Sequence, residues 1–310
     1  MMKTDSMRDA FFNSVYDVAK KNRDVVIVSA DMGAPSLDRF IKDLSSQFIN
    51  VGIAEANMVV VAAGLALSGK KVFIYAIMPF VTSRCYEMIK VDMGFMNIPI
   101  TAVGVGAGFG YVESGPTHHS TDDIAIMRAL NNMTILSASD SIMAGRFARM
   151  SCEIAGPSYV RLDREMLPPI YDRKSNFDDG LACLKSGTDV CIVATGNMVH
   201  RAMEVSERLA RRSIKAGVLD LYRLKPVNEK LFLQCIERSR RIVTLEEHFL
   251  IGGIGSIVAE ILADNDKRVP LKRLGVQNRC YYVYGGRENI QALCGLDRGS
   301  VTETILNWIK

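Results

Sequence analysis

Short, wholly apolar, β-branched runs alternate along this sequence with longer stretches of helical periodicity, and that alternation limits the fold more than anything else. Val25-Val26-Ile27-Val28 has no polar side chain to turn toward water. A strand made from it must be covered on both faces, as in a parallel sheet flanked by helices. Comparable runs lie at Val72–Ala76, Ile100–Val105, Thr134–Ser137, Tyr159–Leu162, Val190–Ala194, Ala216–Leu219 and Arg241–Leu245. Between them the apolar spacing predicts helices near 6–21, 37–45, 55–68, 80–92, 122–131, 141–155, 198–212, 228–238, 253–264 and 299–309. A strand–helix series of this kind winds into an α/β fold with right-handed crossovers.

The series breaks once. Leu167-Pro168-Pro169-Ile170 ends regular structure, and the polar stretch after it has no periodicity. The expected organisation is therefore two doubly wound α/β domains, 1–170 and 187–310, joined by a linker at 171–186. The length of 310 residues agrees with two cores. The seven cysteines are scattered, with no CxxC pair, which argues against a disulfide framework or zinc site and fits a reducing, cytoplasmic setting. The longest apolar run, Met58–Leu67, is about half of what a membrane span needs, and no secretory leader is expected. A net charge of +4 is too small to imply nucleic acid. The basic stretch Arg201–Arg241 is read as solvated helix faces.

Segment 104–120, Gly-Val-Gly-Ala-Gly-Phe-Gly-Tyr-Val-Glu-Ser-Gly-Pro-Thr-His-His-Ser, is the first candidate for chemistry. Alternate glycines leave a strand little to pack but permit close backbone approach and positive φ. The spacing is not GxGxxG, and no GxxxxGK[ST] occurs. The loop follows a strand, where open α/β sheets form their ligand crevice, and it carries His118 and His119; a surface loop with incidental histidines is the plainer alternative. Glu55 opens a helix among Ile53, Ala54, Ala56 and Met58. A carboxyl in such surroundings has a raised pKa and can hold or share a proton, whereas a first-turn acid favoured by the helix dipole needs no further role. Asp31 and Ser36 follow the first strand, though Ser36 also suits an N-cap. Phe80, after Pro79, is either a platform or core. Gly252-Gly-Ile-Gly-Ser256, after Glu246-Glu247-His248, is either an anion cradle or a close helix–sheet contact.

Taken in order, Ser-Ala-Asp31, Gly-Ile-Ala-Glu55-Ala-Asn-Met, Phe80 and Gly-Pro-Thr-His118 resemble the transketolase family. They are similar above all to the C-terminal half of transketolases and of 1-deoxyxylulose-5-phosphate synthases. Leu224-Lys-Pro-Val and Thr244-Leu-Glu-Glu-His extend the likeness through the second domain. The resemblance implies a pyrimidine-binding domain, a transketolase-type C-terminal domain and use of thiamine diphosphate. It implies that Glu55 faces N1′ of the aminopyrimidine and that Phe80 stacks on that ring. Asp31 and Ile77 border the cofactor. His118 acts at the substrate carbonyl and hydroxyls, Ser36 and Ser114 line the substrate channel, and Arg164 grips the anionic end of a sugar. The family's Gly-Asp-Gly motif, which with a later asparagine pair holds diphosphate and metal, does not occur, and Asn131-Asn132 lacks that lead-in. The chain is therefore expected to be one subunit of a split enzyme. Its N-terminal partner subunit would supply the diphosphate site and a Mg2+ or Ca2+ ion, in an α2β2 assembly with self-association of this chain as a dimer.

Three departures qualify the transfer. Ser114 stands where transketolases have aspartate, a glycine near Gly106 replaces a phosphate-binding histidine, and Ile77 replaces one aromatic of the pyrimidine pocket. The leading expectation is transfer of a two-carbon ketol unit from an anionic ketose to an aldehyde. A β subunit of a 2-oxoacid dehydrogenase's thiamine component and a non-catalytic dimerising relative are the alternatives. Gly-Pro-Thr-His118 speaks against the first of these. The joint presence of Glu55, Phe80 and His118 speaks against the second.

Overall fold

The structure, a computed structural model, describes residues 5–310. Among the described residues twelve strands occur: β1 (Val25–Ser29), β2 (Phe48–Asn50), β3 (Lys71–Ile77), β4 (Ile100–Val105), β5 (Thr134–Ser137), β6 (Ser158–Leu162), β7 (Leu181–Lys185), β8 (Val190–Ala194), β9 (Ala216–Leu221), β10 (Arg223–Lys225), β11 (Ile242–Phe249) and β12 (Leu271–Val276). They build two sheets, ordered β10-β5-β6-β4-β3-β1-β2 and β12-β11-β8-β9-β7. β1 to β6 pair in parallel, as do β8, β9, β11 and β12. β7 and β10 are antiparallel edges.

Burial follows the sequence pattern. Alternate residues of one strand feed separate cores: Val26 and Val28 join Ile74, Ala76, Ile100 and Ala102 on one face. Val25 and Ile27 join Phe73, Tyr75, Val103 and Val105 on the other. The first face is covered by Met58, Val59 and Ala62 of the helix Glu55–Leu67. The second is covered by the helices Met7–Ala19 and Ser141–Ser151. The first core continues into the second domain through Val193, Leu219 and Ile254. Another cluster packs the far face of the second sheet against the helices Met198–Ala210 and Arg298–Ile309.

Four strands and one helix escape the periodicity. β2 and β10 are three residues long, and β7 and β12 are edges whose partial exposure admits polar residues. The helix Gly286–Leu293 starts behind paired glycines. The expected helix at 80–92 is broken into Met78–Val81, Tyr86–Met88 and a π-turn run Ile89–Phe95. The expected linker 171–186 ends in β7, and Phe177 within it is buried. β10 crosses back to pair with β5, so the first sheet takes its edge from the second half of the chain. Lys225, on β10, donates to the carbonyls of Arg128 and Leu130 at the end of a first-domain helix, as a cation suits a helix C-terminus.

Asp140 fastens the exit of the first domain. One carboxylate oxygen caps the helix Ser141–Ser151 by accepting from Met143 N at 2.8 Å, and the other accepts from Ile170 N at 2.7 Å and Tyr171 N at 2.9 Å. Asp140→Ala removes a cap and leaves two further amides unpaired, so it should cost about 2–4 kcal/mol. A urea midpoint unchanged from wild type would contradict this role.

Candidate active site

Register puts the candidate residues along one edge. β3 and β4 end level, Ile77 beside Val105, and β4 and β6 end level, Val105 beside Leu162. The segments leaving β1, β3, β4 and β6 therefore emerge together, at the carboxyl edge where parallel sheets bind ligands. They carry Asp31 and Ser36, Phe80, the glycine loop and Arg164 respectively.

Glu55 begins the helix Glu55–Leu67 and is 4% exposed. The expectation that it lacks polar company is corrected: its Oε1 accepts from Arg84 Nη1 at 2.8 Å. The same guanidinium lies flat over Phe80, with Cζ 3.8 Å from the ring centroid, a cation–π contact. Phe80, in the turn directly after β3, meets the His118 ring edge-to-face at 5.0 Å. Partial burial, and next the Arg84 charge, hold the His118 imidazole below its ordinary pKa. His118 Nδ1 is 3.0 Å from Thr117 Oγ1. Glu55, Phe80 and His118 are thus brought together, with Arg84 at their centre.

A second group adjoins the first through Tyr111, whose ring is 6.4 Å from that of His118. The exposed Arg164 stacks on Tyr111 with Cζ 4.7 Å from the centroid. Burial raises the Tyr111 pKa, while Arg164 and Arg8 both pull it down. Arg8 donates to Asp9, and its Nε is buried without a protein partner. The Tyr75 hydroxyl is likewise buried and unpartnered. Burial pushes its pKa up, and Arg8 opposes that. Gly106 has φ +98, and a Cβ there would sit 2.2 Å from the Tyr111 ring, so only glycine admits this tyrosine.

The remaining candidates are less closely engaged. Asp31, exposed at φ +56, exchanges hydrogen bonds with Asn50, whose Oδ1 also accepts from Gly52 N. Asn50 so ties the end of β1 to the approach to Glu55. Ser36 is not an N-cap; Ala34 holds that position without a side-chain bond. Ser36 is buried and donates to Asp9 Oδ1 at 2.8 Å. Ile77 closes β3, and Ser114 is exposed at the loop tip. His119 turns away to the Phe109 ring at 5.0 Å. Gly253 and Gly255 serve packing: a Cβ on either would fall within 3.0 Å of the Glu246 carboxylate, which accepts from Ile254 N and Gly255 N. The anion-cradle alternative is thereby filled by the chain itself. Among the described residues no group of three or more histidines, cysteines or acids could hold a metal ion.

Arg84, Arg8 and Tyr111 went unnoticed in the sequence. Arg84 sits in the span expected to be a continuous helix, and Arg8 is a single basic residue in a first turn. Tyr111 had one usable signal, the unexplained glycine at 106 beneath its ring.

Comparison with known proteins places the chain. Residues 3–169 match the family model "Transketolase, pyrimidine binding domain", and residues 181–301 match "Transketolase, C-terminal domain". One of the two subunits of an apulose-4-phosphate transketolase, from Phocaeicola vulgatus, is 35% identical, over 98% of this chain and 97% of its own. A 6-deoxy-6-sulfo-D-fructose transketolase subunit from a Clostridium species is 34% identical, over 94% and 90%. A solved split-gene transketolase, described as an inactive beta4 tetramer, superposes with a TM-score of 0.88 at 30% identity, covering 98% of both chains. The chain belongs to the transketolase family, as a protein holding the pyrimidine-binding and C-terminal domains.

Removing the Arg84 charge should release its hold on the neighbouring imidazole. In Arg84→Met, His118 should titrate at higher pH than in wild type, read from its imidazole NMR shifts. A value unchanged or lower would show that Arg84 does not act on His118.

Proposed function

We propose that this chain is the C-terminal subunit of a two-subunit, thiamine-diphosphate-dependent transketolase, which moves a two-carbon ketol unit from an anionic ketose to an aldehyde. The observation that carries this reading is the contiguous set Glu55, Phe80 and His118 at the sheet's carboxyl edge. Arg84 supplies a test of fit. It is a planar, cationic N–H donor, stacked on Phe80 and bonded to Glu55, so the residues accommodate a flat, nitrogen-bearing ring that would displace it. When bound, thiamine diphosphate supplies a nucleophilic carbon and an electron sink. Glu55 holds a proton against ring nitrogen N1′. Phe80 gives the ring an apolar face, bordered by Ile77 and Asp31. His118, kept neutral near pH 7 by burial and Arg84, can accept a proton from a substrate hydroxyl and return it to a carbonyl oxygen.

The substrate's anionic end is assigned to Arg164 and Arg8 around Tyr111. Guanidinium groups suit phosphate and sulfonate alike. The two relatives above are named for a phosphorylated and a sulfonated sugar, and an anion site of this kind accommodates either. Ser36 already donates to Asp9, so it can offer a lone pair to a sugar hydroxyl; Ser114 stands at the open tip.

The partner is an N-terminal, diphosphate-binding subunit that also holds Mg2+ or Ca2+, in an α2β2 assembly. The missing Gly-Asp-Gly motif supports this, as does an apolar surface. Ile53 is 78% exposed, Leu67 68% and Phe95 59%, with Val60 and Met96 beside them in the same exposure class. Exposed apolar side chains in such number mark subunit contacts. The beta4 assembly of the structural relative supports self-association of this chain as well. The cytoplasm is the expected compartment; no helix among the described residues is long and apolar enough to cross a membrane.

Expressed alone, the chain should show no ketol transfer, and co-expression with its partner should restore it. Robust transfer by the isolated chain would overturn the split-enzyme reading. In the reconstituted enzyme Glu55→Gln should bind cofactor but lose exchange of the thiazolium C2 proton with deuterated solvent, followed by NMR. Wild-type exchange rates in that variant would remove Glu55 from the mechanism.

A further inference from the structure

The loop that carries Ser114 and His118 is not held by its own domain alone. It closes on itself through Gly108 and Ser120, which exchange backbone hydrogen bonds of 3.1 and 2.8 Å. Its base is bonded to the second domain at three points. Phe109 N donates to Glu247 Oε2 at 3.0 Å, Arg287 Nη2 donates to Ala107 O at 3.0 Å, and Phe249 N donates to Thr121 O at 2.7 Å. The approach is so close that a Cβ on Gly108 would fall 2.1 Å from Glu247 Oε2, at φ +57. Arg287 also donates to both carboxylate oxygens of Asp163 at 2.8 Å. It thereby fixes the residue immediately before Arg164. Glu247 accepts from Arg287 Nε at 3.1 Å and also from Gln291. Arg287, Asp163 and Glu247 are all buried. Burial alone would raise the Asp163 pKa, but the Arg287 charge prevails and holds it below the ordinary range.

A buried ion cluster is weak evidence of stabilisation, because desolvating the charges offsets most of their attraction. Apolar contact already joins the domains here: Phe109 and Val112 of the loop sit in the second domain's core, and the first core runs through to Ile254. What the cluster adds is direction, because it bonds to loop backbone and to the foot of Arg164 at once. We propose that Glu247 and Arg287 are positioning residues. They act from the second domain to set the glycine loop, and hence His118, against Phe80, and to set Arg164 against Tyr111. The second domain is thus a template for the active edge, though it contributes no group to it. The catalytic half of this statement rests on the transketolase reading; the clamping half does not.

Two measurements test it. In the free chain, followed by amide hydrogen exchange, Glu247→Ala should speed exchange across 106–120 by about tenfold or more, while the helix Glu55–Leu67 keeps wild-type protection. In the enzyme reconstituted with its partner, the same variant should lower kcat by about tenfold or more with cofactor affinity within about twofold, since misplacement of a positioned group acts on turnover. Glu247→Gln, which keeps an oxygen for Phe109 N, should recover most of both. If Glu247→Ala does not fold, Gly108→Ala displaces the loop from its own side and should show the same pair of effects. Exchange that rises equally in both domains, a loop as protected as in wild type, or a Gln variant as impaired as the Ala variant would each overturn the proposal. Absence of ketol transfer in the wild-type reconstituted enzyme would instead overturn the transketolase reading, and the exchange experiment would still decide whether the clamp exists.

Discussion

The level ending of four parallel strands is the constraint on which the rest of this molecule depends. β1, β3, β4 and β6 run in the same direction in one sheet, and their pairing brings Ser29, Ile77, Val105 and Leu162 to one edge. Parallel pairing is stable only when both faces are covered, and the separate cores on the two faces supply that cover. Because side-chain direction alternates along a strand, a slip of one residue would send Val26 and Val28 to the wrong core. The apolar pattern thus fixes the register, and the register sets where four loops begin. Glu55 joins them from the side, at the start of the helix that covers one face.

Three charged groups are buried at or near that edge, and each is neutralised locally. Glu55 is paired with Arg84. Asp123 accepts from Arg161 Nε at 2.8 Å and from the Tyr159 hydroxyl at 2.9 Å. Asp163 and Glu247 share Arg287. The pairs differ in how open they are: Arg161 and Arg287 are nearly sealed, whereas the Arg84 side chain is 44% exposed. An exposed arginine gives up a partner at lower cost than a sealed one, since water can solvate it once free. Of the three, the pair at Glu55 is the one a ligand could exchange.

Much of this was legible in the sequence. Eight strands and most helices follow from apolar period, because strands buried on both faces and amphipathic helices write their surroundings into composition. Glu55, Phe80 and His118 were found because each lies in a short local pattern. The ion pair of Glu55 was not found, because Arg84 is 29 positions away and the chain between them passes through β3. β7, β10 and β12 were missed because an edge strand buries less and so tolerates Lys and Arg. The helix Gly286–Leu293 was missed with them, and with it Arg287, whose three acceptors come from residues 107, 163 and 247. Contacts of that range have no period, and only the assembled fold brings them together.

The geometry also explains why such a site needs a second chain. The contacts run in one line: Glu55 to Arg84 and Phe80, Phe80 to His118, His118 to Tyr111, Tyr111 to Arg164. A cofactor's ring belongs at one end of that line and a sugar's anionic end at the other, so the reacting carbon lies between, beside His118. The diphosphate must then leave the line in a third direction, carrying several negative charges that need a metal ion and hydrogen-bond donors. The described residues offer no metal-ligating cluster in any direction, and the exposed apolar residues Ile53, Leu67 and Phe95 surround the helix that Glu55 begins. The surface that asks for an anion site and the surface that asks for an apolar partner are therefore neighbours, and a single docked chain could satisfy both.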